Sequence, residues 1–442
     1  MSTEHTMRHL LDLAAVPAAA VPKNALTLAS FSLFDWLVVA RAGVAEPLSR
    51  IVRDVVEQDG GRPVATVVGL ATRVPARAAA LANGTISHAL DYDDTHFAHI
   101  GHLSVGIMPA ALAMAEQLDA PATHVRDAFV IGAEAACRIG MVLGRGHYEH
   151  GFHQTATAGA FGATVAAGRL LGLTDAEMRN ALSLVATRAS GLKSQFGTMG
   201  KPYNAGIAAA NGVECASLAK REFISCDDGV GGPQGFIETH AVDASETAAW
   251  ADPPPASFVF ENNKYKLHAC CHGLHAMINA LVDARTSRTL RPEDVVGITV
   301  KTNPRWLRVC DIKRPRTGLE AKFSYGMLAA MVLHGISTAA DSSYTDALGT
   351  DEALLDVARR VTVEGDARVS DTATHVSLAL SGGGSLEIDH DLAARLSMPT
   401  LEAGLREKAR ALLGDAEADR IWSGVQALEQ ISARDLAALL AA

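Results

Sequence analysis

Aromatic residues make up only 5% of the 442-residue chain, although hydrophobic residues reach 48%. The apolar mass is therefore mostly Ala, Leu and Val, which suits close-packed helices more than a β-sandwich. There is no long basic tract and the net charge is −10, so nucleic acid is not expected as a partner. Anionic small substrates stay open, because a local cluster of Lys, Arg and His can outweigh the global sign. The six cysteines, at 137, 215, 226, 270, 271 and 310, form no C-x-x-C pair. That argues against an iron–sulfur or structural zinc site and against a secreted disulfide framework, and points to a reducing cytoplasm. No H-E-x-x-H occurs, and the Gly-rich stretch Gly229–Phe236 lacks the Lys-Ser/Thr of a phosphate-binding loop. The first residues carry Glu4 and no long apolar run, so a signal peptide is not expected. The most apolar early stretch, Ser32–Ala40, contains Asp35 and is too short to span a bilayer, so no membrane partner is expected either.

What is present reads as helix for most of the chain, and the length predicts two domains. Leu26, Ala29, Leu33, Trp36 and Ala40 recur at helical spacing within Pro22–Arg41, and Gly43 follows as a stop. Val64–Leu70 reads as a short extended piece. Pro75 opens a helix running towards His88, Pro121–Gly140 and Thr155–Leu171 are Ala-rich helices, and Thr174 with Glu177 forms a capping-box pattern. At Pro253-Pro254-Pro255 the texture changes. Beyond it, Val295–Thr302, Val361–Val363 and two pieces of His375–Asp389 around Ser381-Gly382-Gly383-Gly384 read as strands. Helical segments His268–Ala284 and Ser324–Leu333 alternate with them. After Pro399 the chain is helical again and is expected to rejoin the first domain.

Five segments could carry chemistry. His88–His102 reads HALDYDDTHFAHIGH, with Asp91, Asp93, Asp94, His96, His99 and His102 after the end of a helix. Three readings compete for it: a metal site, a metal-free acid/base site, or a solvated polar loop. His153 stands just before an Ala/Gly-rich helix, where backbone N–H groups favour an anion, or it is an incidental part of a capping region. Lys201, before Pro202, stands at a helix start where dipole and ammonium both attract a carboxylate; the alternative is a surface lysine in a turn. His272 and His275 are three apart and can share a helix face, beside the vicinal Cys270 and Cys271. Arg314, Arg316 and Lys322 could hold substrate carboxylates or form an ordinary solvated loop.

In order, the chain carries Asn83-Gly84 through Asp91-Tyr-Asp-Asp-Thr95, then His102-x-Ser104, then Gly151-Phe-His153 with Thr155-Ala-Thr-Ala-Gly159. Gly197-Thr-Met-Gly-Lys201-Pro202 with Ala205-Gly206 follows, then Cys270-Cys271-His272 with His275, then Glu320-Ala-Lys322-Phe-Ser324. This succession resembles the MmgE/PrpD family, which includes 2-methylcitrate dehydratase, cis-aconitate decarboxylase and iminodisuccinate epimerase. The resemblance implies a mainly α fold: a large helical domain of residues 1–262 and 396–442, made from both chain ends, and a smaller α+β lid of residues 263–395. It implies a homodimer acting on a small di- or tricarboxylate, with no cofactor and no metal. Its active-site positions fall on Asp91, His102, His153, Lys201 and His275 as catalytic residues. Thr95, His272, Lys322 and Tyr325 fall at substrate-binding positions, Tyr325 near a catalytic tyrosine of the decarboxylase branch. Leu103 and Gln154 depart from the family, which often has Pro at both places.

The chemistry implied starts at the carbon next to a carboxylate. Its C–H is weakly acidic, so a base must sit on it and the growing charge must be held. Histidine suits the proton transfer, Lys201 the charge, and Asp91 the orientation of a histidine. The expected reaction is a lyase step, dehydration or decarboxylation. Epimerisation is the alternative within the family, and a non-catalytic dimeric ligand-binding protein is the alternative from another class. The lid would bring His275 on closing, and the site residues are expected in an open cleft, so that their loss leaves stability nearly unchanged.

Overall fold

The computed structural model describes residues 5–441, and Glu4 lies outside the described residues. The chain divides into two compact units, one running to Tyr265 and resuming at Leu413, the other spanning Lys266–Leu412. The second change of unit therefore falls later than the expected 395/396. The helix Met398–Leu413 buries Leu401, Leu405 and Ala409, and its Gly404 lies against Leu267 of the second unit, which draws it there.

The first unit is helical. It contains α1 (His5–Ala15), α2 (Lys23–Ala42), α3 (Pro47–Asp59), α4 (Ala76–Ser87), α5 (Ser104–Gln117), α6 (Thr123–His150), α7 (Gln154–Leu170), α8 (Asp175–Ala186) and α9 (Gly200–Ala219). The helices Asp415–Gln426 and Ala433–Ala438 return to it from the chain end. The capping box at the start of α8 forms as read, with the Thr174 hydroxyl accepting from the Glu177 N–H. Val64–Leu70 is not a strand; it makes only an isolated bridge between Ala65 and Val74. The early apolar stretch also proves longer than read. It belongs to the 20-residue α2, long and apolar enough to cross a membrane by length and composition. Most of that helix is buried inside the unit, where Leu33, Phe34, Trp36 and Leu37 are fully covered.

Small residues set the closest contacts. A Cβ on Gly84 of α4 would lie 2.8 Å from the Gly206 Cα of α9, so the two helices touch backbone to backbone. Gly84 lies near the end of α4 and Gly206 near the start of α9. Packing at this pair therefore levels the exit of α4 with the first turn of α9, and brings the His88 loop to Lys201.

The second unit holds a four-stranded sheet in the order β2-β1-β3-β4, with β1 (Val295–Thr302), β2 (Val361–Gly365), β3 (Ala373–Leu380) and β4 (Ser385–Asp391). β1 pairs parallel to β2 and antiparallel to β3, and β4 follows β3 through the expected Gly-rich turn. Ile298, Val300, Val376 and Leu378 are buried, in one core with Met277, Ile278 and Leu281 of the helix His275–Arg288 and Met327, Leu328 and Met331 of the helix Tyr325–Leu333. Alternate residues face outward, as expected of a sheet covered on one side. The first of these helices begins at His275, not at His268. His272 sits in a short 3₁₀ turn before it, so the two histidines do not share a helix face as the spacing suggested.

Candidate active site

The loop from His88 to Leu103 connects α4 to α5 on a strained course. Asp91 has φ 51° and Ile100 φ 55°, both left-handed. Asp tolerates that region, but a β-branched residue does not, and such positions cost about 1–3 kcal/mol and persist only where neighbours over-determine them. The neighbours here are polar and buried. The Asp94 carboxylate accepts from the Ser104 N–H at 3.0 Å, the Asn263 amide at 2.7 Å and the Ser32 hydroxyl at 3.1 Å. Burial pushes this carboxyl upward against those bonds. The His99 N–H donates to His96 Nδ1 at 3.1 Å, so His96 carries its proton on Nε2, facing the Val259 carbonyl at 2.9 Å. His99 Nδ1 lies 3.1 Å from the Ala136 carbonyl. Thr95 exchanges two backbone bonds with Lys264, at 2.7 and 2.8 Å. Asp94, His96 and His99 are thus anchors.

The remaining residues converge. Asp93, fully buried, lies with Oδ1 2.7 Å from His88 Nδ1 and Oδ2 2.8 Å from His102 Nδ1, the second contact lacking the alignment of a full hydrogen bond. Burial alone would raise its carboxyl. The charges and hydrogen bonds of His102 and His88 override this and hold it far below the usual carboxylate range. His102 Nε2 points the other way, 3.4 Å from Asp91 Oδ1, and Asp91 Oδ2 is 2.6 Å from Lys201 Nζ. The backbone N–H of His102 is fixed by the Thr155 hydroxyl at 3.0 Å. His153, as read, precedes a helix and is its N-cap residue. Its ring stands 6.2 Å from that of His88. The Asn204 amide, which also donates to the Leu192 carbonyl at 3.3 Å, lies 3.1 Å from His153 Nδ1. Asn204 therefore donates to Nδ1, and His153 carries its proton on Nε2. Burial and then the Lys201 charge push His153 well below the ordinary histidine value, so it is neutral.

Of the nine expected site residues, the structure joins Asp91, His102, His153 and Lys201 in one cluster, with Thr95 in the same loop. Asp91 was expected to orient a histidine; it lies 3.4 Å from His102 Nε2 and binds Lys201, while the carboxylate on His102 Nδ1 is that of Asp93. The cluster is only partly open: His102 and His153 are 8% and 2% exposed, whereas the Asp91 side chain is 46% exposed. His88, Asp93, Asn204 and Phe196 were not assigned roles from the sequence. Phe196 covers the ring of His153 at 4.9 Å and the Lys201 ammonium at 5.2 Å. The only signal for Asp93 was its place in a run of aspartates, and the left-handed turn at Asp91 is what separates their directions.

The other expected residues lie in the second unit. His275 is buried, its ring 4.7 Å from His272 and 5.0 Å from His268, and burial followed by the charge of His272 pushes it well below the ordinary value. Lys322 is paired with Asp341 at 2.5 Å. Tyr325 is 1% exposed and its hydroxyl donates to the Gly273 carbonyl at 3.1 Å, so it anchors the turn bearing His272 and does not offer a free phenol. Lys266, a buried lysine missed in the sequence, acts on His275 by its charge.

His88, Asp91, Asp93 and His102 offer donor atoms within 4.8 Å of one another, a set that suits a metal by type. In this structure Asp93 faces His88 and His102, and Asp91 faces Lys201, while His88 Nε2 has no hydrogen-bond partner. A cation there would have to displace the ammonium from Asp91 and the imidazole contacts from Asp93.

The buried histidines fix a response to acid. Burial pushes His96 down to about 4 and His99 to about 3, against 6.5 in the unfolded chain. Below pH 6.5 the unfolded state binds the extra protons, so stability falls with pH at up to about 1.4 kcal/mol per unit for each histidine. Asp93 adds its loss only below 3.8, whereas the buried Asp94, Glu116 and Glu134, shifted upward, work in the opposite direction. The discriminating measurement is thus a difference. Between pH 7 and 4.5 the melting temperature should fall less in His99→Asn than in the parent, and equal falls would show that His99 does not contribute.

The profile of the MmgE/PrpD N-terminal domain matches residues 13–247 and that of the MmgE/PrpD C-terminal domain residues 268–430. The chain is 27% identical over 279 residues to a "Cis-aconitate decarboxylase-like protein oryM" of Aspergillus oryzae, covering 59% of this chain and 57% of that one. It is 30% identical over 206 residues to a cis-aconitate decarboxylase of Aspergillus terreus, covering 45% and 42%, and 32% identical over 152 residues to that of Homo sapiens, covering 33% and 31%. These alignments span about a third to just over half of the relatives' length. The two domain profiles together run through most of the sequence, and the chain belongs to the MmgE/PrpD family.

Proposed function

We propose that this protein is a lyase that moves a proton at the carbon next to a carboxylate of a small di- or tricarboxylate, without metal or cofactor. The observation that carries the reading is the pair of histidines in opposite tautomers beside Lys201. Asp93 takes the Nδ1 side of His102, which leaves Nε2 bare in its neutral form. Asn204 takes the Nδ1 side of His153, which leaves an N–H on Nε2. His102 is then the group that takes or delivers the proton. His153, neutral, donates a hydrogen bond to the oxygen on which charge grows, and Lys201 holds the carboxylate electrostatically.

In a dehydration, His102 removes the C–H proton and a hydroxyl leaves the neighbouring carbon. In a decarboxylation of an unsaturated substrate, the C–C bond to a carboxylate breaks and CO₂ leaves. Its electron pair shifts through the double bond, and a protonated His102 delivers the proton to carbon. The relatives named cis-aconitate decarboxylases support the second. The protein is further proposed to act as a homodimer, which sedimentation at working concentration tests directly.

The test of the reaction is NMR in heavy water with candidate di- and tricarboxylates, following C–H signals and CO₂ release. Deuterium at the α-carbon with CO₂ loss is expected; no exchange and no product with any of them would leave a binding protein. Turnover should also survive exhaustive chelation, since both carboxylates already face partners within the protein. A stoichiometric ion whose removal abolishes turnover would refute the metal-free part of this mechanism.

A further inference from the structure

Asp93 is a fully buried carboxylate shared by two imidazoles, and only one of them, His102, faces the reacting side. The second, His88, is fully buried, its Nδ1 2.7 Å from Asp93 Oδ1 and its Nε2 without a hydrogen-bond partner. Its ring meets that of His102 edge-on at 4.6 Å. His88 has no free path to a substrate atom through Asp93, yet it occupies half of that carboxylate. From this arrangement we infer that His88 is a positioning residue, acting through Asp93 to hold His102 in the tautomer that presents a bare Nε2. The inference rests on the reading of His102 as the proton-transferring group.

An ionised carboxylate only accepts hydrogen bonds. With Asp93 ionised, both imidazoles facing it must carry their protons on Nδ1, and the neutral form of His102 then has no proton on Nε2. A carboxylate this deeply buried stays ionised only while hydrogen-bonded. The His88 N–H supplies one aligned bond, and the contact from His102 at 2.8 Å is the less well aligned of the two. If the His88 donor is removed, Asp93 is left with one misaligned donor in a dry site and takes up a proton. A protonated Asp93 donates to His102 Nδ1, which moves the imidazole proton to Nε2. Nε2 then no longer has a lone pair to receive a proton from carbon. On the Nε2 side of His102 the Asp91 carboxylate, 3.4 Å away, by itself favours a proton there, and the Lys201 ammonium 2.6 Å from Asp91 offsets that pull, so the partner at Nδ1 sets the tautomer.

Two substitutions separate the donor from the bulk of the ring. His88→Asn keeps an N–H near the place of Nδ1, while His88→Phe keeps the ring volume and removes the donor. The tautomer of His102 is read from the ¹⁵N shifts of the histidine-labelled protein without substrate, its signals assigned as those missing from His102→Asn. The parent and His88→Asn should show His102 with its proton on Nδ1, and His88→Phe should show it on Nε2. In kinetics, His88→Phe should lose about 10²-fold in kcat with KM nearly unchanged, the size of a general acid–base contribution, and His88→Asn should recover most of it. An unchanged tautomer in folded His88→Phe overturns the inference, and so does equal loss of kcat in both variants with the parent tautomer retained. The ¹⁵N measurement needs no turnover, so it decides the role of His88 even if no carboxylate proves to be a substrate. If His88→Phe does not fold, the parent spectrum still decides: His102 protonated on Nε2 there would overturn the inference, and Nδ1 there together with recovery in His88→Asn would support it.

Discussion

His102→Ala is expected to lower kcat by about 10²–10⁴-fold with little change in KM, the range of a lost general acid–base group. The reason is positional. Nε2 of His102 is the only one of its nitrogens turned towards Asp91 and Lys201, and its backbone N–H is tied to Thr155. The ring therefore contributes to the proton transfer more than to holding substrate. Lys201→Ala should behave differently and lose in both KM and kcat, because an ammonium attracts a carboxylate in the ground state and more strongly as charge grows. Stability should not be spared. Removing His102 takes one of two partners from a fully buried carboxylate, a loss of about 1–3 kcal/mol. The expectation of a neutral stability effect assumed an open cleft, and the burial of His102, His153 and Asp93 replaces it. Steady-state rates and melting temperatures of the two variants check both statements; a folded His102→Ala with parental turnover would remove His102 from the chemistry.

Arg138→Met should be the most destabilising single change, by about 3–5 kcal/mol, the cost of breaking a buried ion pair from one side. Arg138 of α6 is 2% exposed and binds Glu134 at 2.7 Å. It also donates to the carbonyls of Ala249, Asp252 and Ser257 at 2.6, 3.0 and 3.0 Å. Glu134, whose carboxyl burial pushes upward, accepts from the N–H groups of Val259 and Phe260 at 3.0 and 2.8 Å. The pair thus clamps the whole Pro253–Pro255 stretch onto α6. The same segment continues to Asn263 and Lys264, which hold Asp94 and Thr95, so turnover should fall as well. At about 1 °C per kcal/mol for a chain of this size, the melting temperature should drop by roughly 3–5 °C. Adding Glu134→Gln should restore part of it, since the orphaned charge goes. Thermal unfolding of the single and double variants decides. A single variant within a degree or two of the parent would show the clamp to be unimportant.

Much of this protein follows from local chemistry. The helical first 250 residues, the capping box at Thr174, β1 and the β3–β4 hairpin are legible because period, caps and turn residues act within a few positions of the chain. Asp91, His102, His153 and Lys201 were named together by resemblance to the family, and the structure brings them close to one another. What no local rule could decide was direction. Among Asp91, Asp93 and Asp94, three carboxylates in four positions serve three purposes: one pairs with Lys201, one bridges His88 and His102, and one anchors Ser104 and Asn263. The left-handed backbone at Asp91 and the close contact of Gly84 with Gly206 make that distinction, and both depend on packing between segments more than 100 residues apart. Burial was hidden for the same reason. A polar loop reads as solvated until the helices around it exclude water, and that exclusion, with the Lys201 charge, makes His153 neutral.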